Sequence, residues 1–92
     1  MEEHIYYTYV LYSKKFDKLY IGHTSDIQKR LFEHNTGKSR FTKSYISWEL
    51  VYYEKFSTRS LAMKREKELK SHRGREFIRK EILVVRVRQL PD

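Results

Sequence analysis

Two strand-like segments separated by a short polar stretch are the feature that most constrains this chain. YTYVLYS, residues 7–13, is rich in Tyr and Val and alternates so that Tyr7, Tyr9 and Leu11 share a face. KLYIGH, residues 18–23, has the same character, and only the polar residues KKFD lie between the two segments. This pattern predicts an antiparallel hairpin, in which Tyr9 and Tyr20 would be cross-strand neighbours.

A helix is predicted directly after the hairpin, from about Ser25 to Asn35. Thr24 or Ser25 is a suitable N-cap, Asp26 would lie in the first turn, and Gly37 is placed to end the helix.

The apolar spacing of this helix predicts which side chains face inward. Ile27 and Leu31 would form the buried stripe, and Arg30 and His34, four residues apart, would lie together along its edge. Polar side chains at such an edge can reach a cleft.

The second half of the chain predicts one more strand and further helix. WELVYYEKF, residues 48–56, alternates as a strand that would place Trp48, Leu50 and Tyr52 on one face, and Ser57 or Thr58 can cap a helix that extends to about His72. The residues predicted to face inward in that helix are Leu61, Ala62, Arg65 and Leu69. Glu66 and Glu68 fall near opposite margins of this face, and periodicity does not choose between them. After Gly74 the pattern is helical, whereas VVRVR fits helix or strand.

Length and composition limit the class of protein. Ninety-two residues without cysteine predict one domain, residues 1–92, held together by a small apolar core. The N-terminus MEEHIYY is unlike a signal peptide, and no apolar run approaches the roughly 20 residues of a membrane-spanning helix. We therefore predict a soluble cytoplasmic α/β protein with a small, mainly antiparallel three-stranded sheet flanked by α-helices and no membrane partner.

Positive charge is concentrated in two parts of the chain. The formal net charge is +8; residues 64–88 contain ten Lys or Arg and four Glu, and residues 24–43 contain five Lys or Arg and two acidic residues. Such segments favour contact with the phosphates of nucleic acid, although solvated helix surfaces have similar compositions. The polar stretch GKSRFTKS, residues 37–44, has the composition of a loop.

Four features of the sequence together resemble the GIY-YIG nuclease family. These are YTY, YIG with its tyrosine eleven residues after Tyr9, Arg30 ten residues after Tyr20, and Glu66 within SLAMKREKELK. The similarity extends from about Tyr6 to Glu81 and is greatest to small stand-alone members related to the structure-specific junction nucleases of DNA repair or recombination.

The resemblance implies roles for particular residues. Tyr9, Tyr20, Arg30, Glu66 and His34 would be catalytic, and Glu66 rather than Glu68 would hold one divalent cation, Mg²⁺ or Mn²⁺, bound weakly without substrate. A tyrosine acts as a general base only where a neighbouring cation favours the phenolate, and Arg30 is placed for that. Arg30 has an alternative structural role as a partner of Glu33 or Asp26.

The sequence also departs from the family pattern. YTY replaces GIY, so Tyr7 stands where the family has glycine; His23 stands where repair-type members often have lysine; and no asparagine follows Asn35. His23 and His34 are suited to proton transfer or phosphate contact, and equally to a structural role. The predicted nucleic-acid contacts are His23, Lys38, Arg40, Lys43, Lys67, Lys70 and Arg73.

The sequence thus predicts a metal-dependent endonuclease that hydrolyses DNA phosphodiester bonds and recognises backbone or shape rather than base sequence. One alternative is a nucleic-acid-binding module that keeps the fold but has weak or no turnover. Another is a protein-interaction domain in which the tyrosines are purely structural. The sequence predicts neither the preferred DNA structure nor the oligomeric state.

Overall fold

The computed structural model describes residues 4–84 and contains a three-stranded antiparallel sheet with three α-helices. The strands are β1 (Tyr6–Ser13), β2 (Lys18–Thr24) and β3 (Glu49–Phe56), in the order β2-β1-β3. The helices are α1 (Ile27–Asn35), α2 (Arg59–Lys70) and α3 (His72–Phe77). The predicted fold class is confirmed.

The hairpin forms as predicted, and Tyr9 and Tyr20 are cross-strand neighbours on one face of it. Tyr9 lies opposite Gly22, and Tyr20 lies opposite Leu11. The two tyrosines are therefore diagonal neighbours, with ring centroids 6.2 Å apart. The turn between the strands fixes this register, which alternation alone does not reveal.

A bulge interrupts the pairing of β1 with β3. Val10 pairs with Tyr52 and Leu11 pairs with Leu50, which leaves Val51 as the extra residue. The prediction that Leu50 and Tyr52 share a face is consequently wrong. Leu50 packs with the cluster around Tyr9, and Tyr52 packs against the core on the opposite side of the sheet.

Two apolar clusters lie on the two faces of the sheet. The larger contains Val10, Leu19, Ile21, Leu69, Ile78 and Leu83, and it joins the sheet to α2 and to the helical turns that follow. The smaller contains Tyr9, Leu11 and Trp48, with half-buried side chains of α1 packed against it. Burial of each large aliphatic side chain contributes about 1.5–3 kcal/mol, so the α2 side holds most of the core.

Helix α1 begins two residues later than predicted. Asp26 is its N-cap, with Oδ1 accepting from the Lys29 amide, and Thr24 accepts in turn from the Asp26 amide. The helix ends at Asn35, with Thr36 as C-cap and Gly37 next at φ +82°.

Helix α2 is capped by Thr58, one of the two predicted caps, whose hydroxyl accepts from the Leu61 amide. Leu61 is exposed rather than inward-facing, whereas Ala62 and Leu69 are buried as predicted. The helix ends at Lys70, and Ser71 is the N-cap of α3.

The turns after α2 pack closely because Gly74 has no side chain. A Cβ at Gly74 would collide with the backbone of Glu68 and Leu69. A wide, π-type helical turn, Ile78–Leu83, follows α3. The segment VVRVR, predicted as helix or strand, begins at Val84. Val84 is helical, and the other four residues lie outside the described part of the chain.

Within residues 4–84, the helices are all too short or too polar to cross a bilayer.

Candidate active site

Tyr9 lies in the central strand, and its position depends on the residue opposite. A Cβ on Gly22 would come within 2.8 Å of the Tyr9 hydroxyl oxygen and within 3.1 Å of the Tyr20 ring. Only a residue without a side chain leaves this space for the two phenols. Gly22, the glycine of YIG, is therefore part of the site, a role that the spacing of the motif did not predict.

The Tyr9 hydroxyl is held by a buried hydrogen-bond chain. It lies 3.1 Å from His34 Nε2, and His34 Nδ1 lies 2.8 Å from Thr42 Oγ1. Tyr9 is 1% exposed, while His34 and Thr42 are fully buried. Both partners of the imidazole are hydroxyl groups that donate or accept, so either neutral tautomer satisfies the chain.

The burial of this chain controls its protonation. Burial raises the pKa of Tyr9 to about 12, against the opposing effect of the Arg30 guanidinium. Burial, together with the positive charge of Arg30, lowers the pKa of His34 to about 4. Both groups are therefore neutral at pH 7, and a phenolate at Tyr9 is not favoured because desolvation outweighs the effect of the Arg30 cation.

His34 was predicted at the edge of α1, and the structure places it in the interior. The expected inward residues Ile27 and Leu31 are only half-buried, and His34 is the buried residue of α1. The reason is Thr42, in a short 3₁₀ helix (Thr42–Tyr45) that folds back over α1 and supplies a partner for the imidazole. His34 is thus enclosed in the interior with its imidazole beside the Tyr9 hydroxyl.

Tyr20 and Arg30 are the more accessible members of this group. Tyr20 is half-buried, with its ring centroid 4.6 Å from that of His34. Arg30 Nη1 donates to Glu33 Oε1 at 2.7 Å, which is the structural pairing weighed as an alternative. Burial acts to lower the pKa of Arg30, but Glu33 and the two tyrosines raise it overall, so the guanidinium is both paired and adjacent to the phenols.

Glu66 lies in α2, and each of its two carboxylate oxygens has a side-chain partner. His23 Nδ1 is 2.7 Å from Glu66 Oε1, and Lys70 Nζ donates to Oε2 at 2.6 Å. Partial burial acts to raise the pKa of Glu66, but Lys70 and His23 outweigh it, and the net pKa lies below its ordinary value. The carboxylate is ionised at neutral pH.

Tyr9, Tyr20, Arg30 and Glu66 are expected on one face of the sheet, but Glu66 approaches the tyrosines from the other side of the edge strand β2. Thr8 pairs with His23 and donates from its hydroxyl to the Ala62 carbonyl, so this face is covered by α2. Tyr9 pairs with Gly22 on the other face. The tyrosines and the His23–Glu66 pair therefore lie on opposite sides of β2, at its consecutive residues Gly22 and His23. The charge of Glu66 still acts to raise the pKa of Tyr9.

The donor set near Glu66 suits one weakly held divalent cation. Among residues 4–84, no three His, Cys, Asp or Glu side chains are grouped to hold a metal ion. A single ionised carboxylate can ligate Mg²⁺ or Mn²⁺ when water and substrate phosphate complete the shell. Lys70 already occupies Oε2, so a cation at Glu66 would compete with the ammonium for that oxygen.

The predicted nucleic-acid contacts are divided between two regions. Lys38, Arg40 and Lys43 are exposed in the segment after α1. Lys67 and Arg73 line a shallow concavity between α2 and α3, together with the side chain of Phe77. His23 and Lys70 are engaged with Glu66. The two cationic regions thus belong to different helices and loops, as the charge distribution of the sequence indicated.

Comparison with known proteins gives the family. The model of the GIY-YIG catalytic domain matches residues 5–80. The chain belongs to the GIY-YIG family. It is 45% identical over 73 residues to a UPF0213 protein of Bacillus pumilus, which covers 77% of this chain and 72% of that protein. It is 42% identical over 72 residues to a UPF0213 protein of Staphylococcus saprophyticus, with 77% and 84% covered.

A solved structure is also similar to this GIY-YIG chain. The solution NMR structure of a UPF0213 protein of Bacillus halodurans shares 31% identity, covers 80% of this chain and 81% of its own, and superposes with a TM-score of 0.49. The resemblance drawn from YTY, YIG, Arg30 and Glu66 is confirmed at the level of family by the match of the GIY-YIG domain to residues 5–80. GIY-YIG membership indicates a hydrolase of the endonuclease type.

Proposed function

We propose that this protein is a metal-dependent endonuclease that hydrolyses phosphodiester bonds of DNA. The observation that carries the proposal is the packing of Tyr20 and Arg30 against the buried Tyr9–His34 pair, in a chain of the GIY-YIG family. A preorganised array of phenol and guanidinium groups stabilises charge on phosphate oxygens without reorganisation during the reaction.

Arg30 binds the phosphate in this proposal. Glu33 accepts from Nη1, and the guanidinium carries five N–H donors in a planar fork, so donors remain for two nonbridging oxygens. Lysine at this position would keep the charge but lose the bidentate geometry. Glu33 in turn fixes the orientation of the fork.

Tyr20 is the phenol that reaches the substrate, because Tyr9 is enclosed. The Tyr20 hydroxyl orients the attacking water or a phosphate oxygen, while Tyr9 and His34 hold the ring of Tyr20 in place. The water oxygen forms a bond to phosphorus as the bond to the leaving oxygen breaks, and the proton lost by the water passes to that oxygen or to solvent.

Glu66 is the residue that would hold a divalent cation, and His23 orients its carboxylate through Oε1. A cation held at Glu66 would supply Lewis-acid stabilisation of the charge that develops in the reaction. Lys70 neutralises the carboxylate when no cation is bound, which keeps Glu66 ionised and in position.

A nucleic-acid-binding module with weak or no turnover is the second candidate. The observation that favours it is the engagement of both Glu66 oxygens by His23 and Lys70, together with Tyr7 in place of the family glycine. In this alternative the fold and the cationic regions remain, and the metal competes poorly with Lys70.

A substrate panel separates the two candidates. Purified protein is incubated with branched, flapped and linear DNA, with Mg²⁺, with Mn²⁺ and with EDTA, and nicks are mapped on denaturing gels. The nuclease proposal predicts products only with metal, and it predicts that Arg30→Gln abolishes them. Salt-dependent binding to the same DNA without nicks in either metal selects the binding module.

A further inference from the structure

A row of aromatic side chains leads from Tyr20 away from the buried chain. The ring centroids of Tyr20 and Phe41 are 6.4 Å apart, those of Phe41 and Tyr45 are 5.5 Å apart, and those of Tyr45 and Phe16 are 5.5 Å apart. We call these four residues the aromatic row. It joins the hairpin turn to the segment after α1, two parts of the chain that are distant in sequence.

The outer members of the row are exposed to solvent. Phe41 is 55% exposed and Phe16 is 40% exposed, while Tyr20 and Tyr45 are half-buried. Scattered apolar residues on a surface need no explanation, but contiguous exposed rings beside a functional site indicate binding. The row begins at the phenol that reaches the substrate in the proposed nuclease.

Lysine side chains lie beside the outer rings of the aromatic row. Lys18 Nζ lies 5.3 Å from the centroid of Tyr45, and Lys15 Nζ lies 5.4 Å from that of Phe16. Residues 14–18 and 36–45 together carry six Lys or Arg and one acidic residue, Asp17. That carboxylate is bound by Arg79 at 2.9 Å and by the Tyr12 hydroxyl at 2.8 Å. The surface therefore combines aromatic faces with uncompensated positive charge.

We propose that the aromatic row binds unpaired nucleotides of the substrate next to the scissile phosphate. Bases of single-stranded DNA stack on exposed rings regardless of sequence, and flanking Lys and Arg follow the phosphates. Bases within an intact duplex present only their edges, so a row of ring faces has nothing to stack on. The inference rests on the proposed nuclease function and adds a substrate class, namely DNA with a single-stranded segment at the cleavage site.

Binding is measured separately from cleavage. A fluorescein-labelled oligothymidylate of about 12 nucleotides and a duplex of mixed sequence and equal length are titrated with Glu66→Gln protein in EDTA, and anisotropy is followed at several salt concentrations. We expect the single strand to bind more tightly than the duplex. A failure of the nuclease proposal would leave this comparison unaffected.

The aromatic contribution is tested with Phe41→Ala, Phe41→Leu and Phe16→Ala. Each is expected to weaken single-strand binding at least about fivefold, and Phe41→Tyr is expected to retain it, because stacking needs the ring. The matched control is Phe32→Ala. Phe32 is 62% exposed and also lies beside a lysine, but it is two residues from His34 and so about 200° around α1 from that buried side chain.

Salt dependence distinguishes stacking from charge. Phe41→Ala should leave the slope of log affinity against log salt unchanged, and Arg40→Gln should reduce its magnitude by about 0.7. Circular dichroism of every variant tests that the fold is intact. The proposal is overturned if the duplex binds as tightly as the single strand, or if folded Phe41→Ala and Phe16→Ala bind the single strand as well as Phe32→Ala does.

Discussion

The hydroxyl of Tyr9 lies 3.1 Å from Nε2 of the buried His34, and Thr42 lies on the other side of the imidazole. This pair joins the central strand to α1 and to the short 3₁₀ helix after it. Because Tyr20 packs on the same imidazole, the pair sets the position of the accessible phenol as well as the buried one. Loss of this pair should therefore affect both the stability of the fold and the position of Tyr20, and the two effects can be measured separately.

Replacing His34 should destabilise the fold strongly. His34→Ala removes a buried ring and leaves the hydroxyls of Tyr9 and Thr42 without their partner, so we expect a loss of about 2–4 kcal/mol in the free energy of unfolding. Urea denaturation followed by circular dichroism measures it. His72→Ala is the control: its side chain is 88% exposed, and a change within about 0.5 kcal/mol is expected. Equal effects of the two substitutions would contradict the buried chain.

Stability should also depend on pH through His34. Its folded-state pKa of about 4 lies below the ordinary 6.5, so between these values the unfolded chain binds more protons than the folded one. The stability from the neutral imidazole is complete above pH 6.5 and is lost as pH falls through 4, by at most about 1.4 kcal/mol per pH unit. We expect wild type to lose stability relative to His34→Gln between pH 6.5 and 5.

The interval between pH 6.5 and 5 lies above the range in which the carboxylates change stability. The pKa values of Glu33 and Glu66 are lowered from 4.5, so the stability they provide is lost only at lower pH. The comparison with His34→Gln cancels the contribution of the other histidines. Parallel pH profiles for the two proteins would show that His34 titrates alike in the folded and unfolded states.

Gly22→Ala should disturb the site through the space it fills. The added Cβ would lie 2.8 Å from the Tyr9 hydroxyl oxygen, and the ring is buried on all sides, so we expect a loss of about 1–3 kcal/mol in unfolding free energy. Adding Tyr9→Phe removes the nearest atom. A double-mutant cycle should therefore give a favourable coupling between the two substitutions, and strict additivity would contradict the packing described.

Periodic patterns in the sequence explain which parts of the fold and of the site could be predicted. Alternation and helical periodicity were sufficient to predict the three strands and the existence of the helices, because burial on one face leaves a periodic pattern in the chain. The predicted caps of α1 were wrong, since Asp26 and not Thr24 or Ser25 is its N-cap. Glu66 was distinguished from Glu68 only by resemblance to the GIY-YIG family. Periodicity did not do so, since both residues lie at the margins of the same helix face.

Other features depend on contacts that no local pattern encodes. His34 became buried because Thr42 folds back from a segment eight residues later, and the bulge at Val51 changed the face on which Tyr52 lies. Gly22 and Thr42 were missed for the same reason. The glycine of YIG was present as a signal, because a glycine inside a strand often marks the close approach of another group.

Lys70 should weaken cation binding at Glu66, because its ammonium lies 2.6 Å from Oε2. Exposed pairs of this kind are worth up to about 1 kcal/mol, so Lys70→Met should tighten Mn²⁺ binding about two- to fivefold. Electron paramagnetic resonance of free Mn²⁺ during a titration measures this without any cleavage assay. Lys67→Met, one turn away in α2 and lining the neighbouring concavity, should leave the affinity unchanged. Unchanged affinity in Lys70→Met would place the cation elsewhere.

The most direct test of the account is the rate of metal-dependent DNA cleavage by Glu66→Gln. Single-turnover cleavage is measured with excess protein on whichever DNA the wild type cuts, beside Glu76→Gln, whose carboxylate lies in α3 near Lys80 at 3.7 Å and has no part in the proposed site. We predict that Glu66→Gln lowers the rate at least about 100-fold, a loss of about 2.7 kcal/mol of transition-state stabilisation, and that Glu76→Gln matches wild type. Equal rates in the two variants would contradict the proposed role of Glu66.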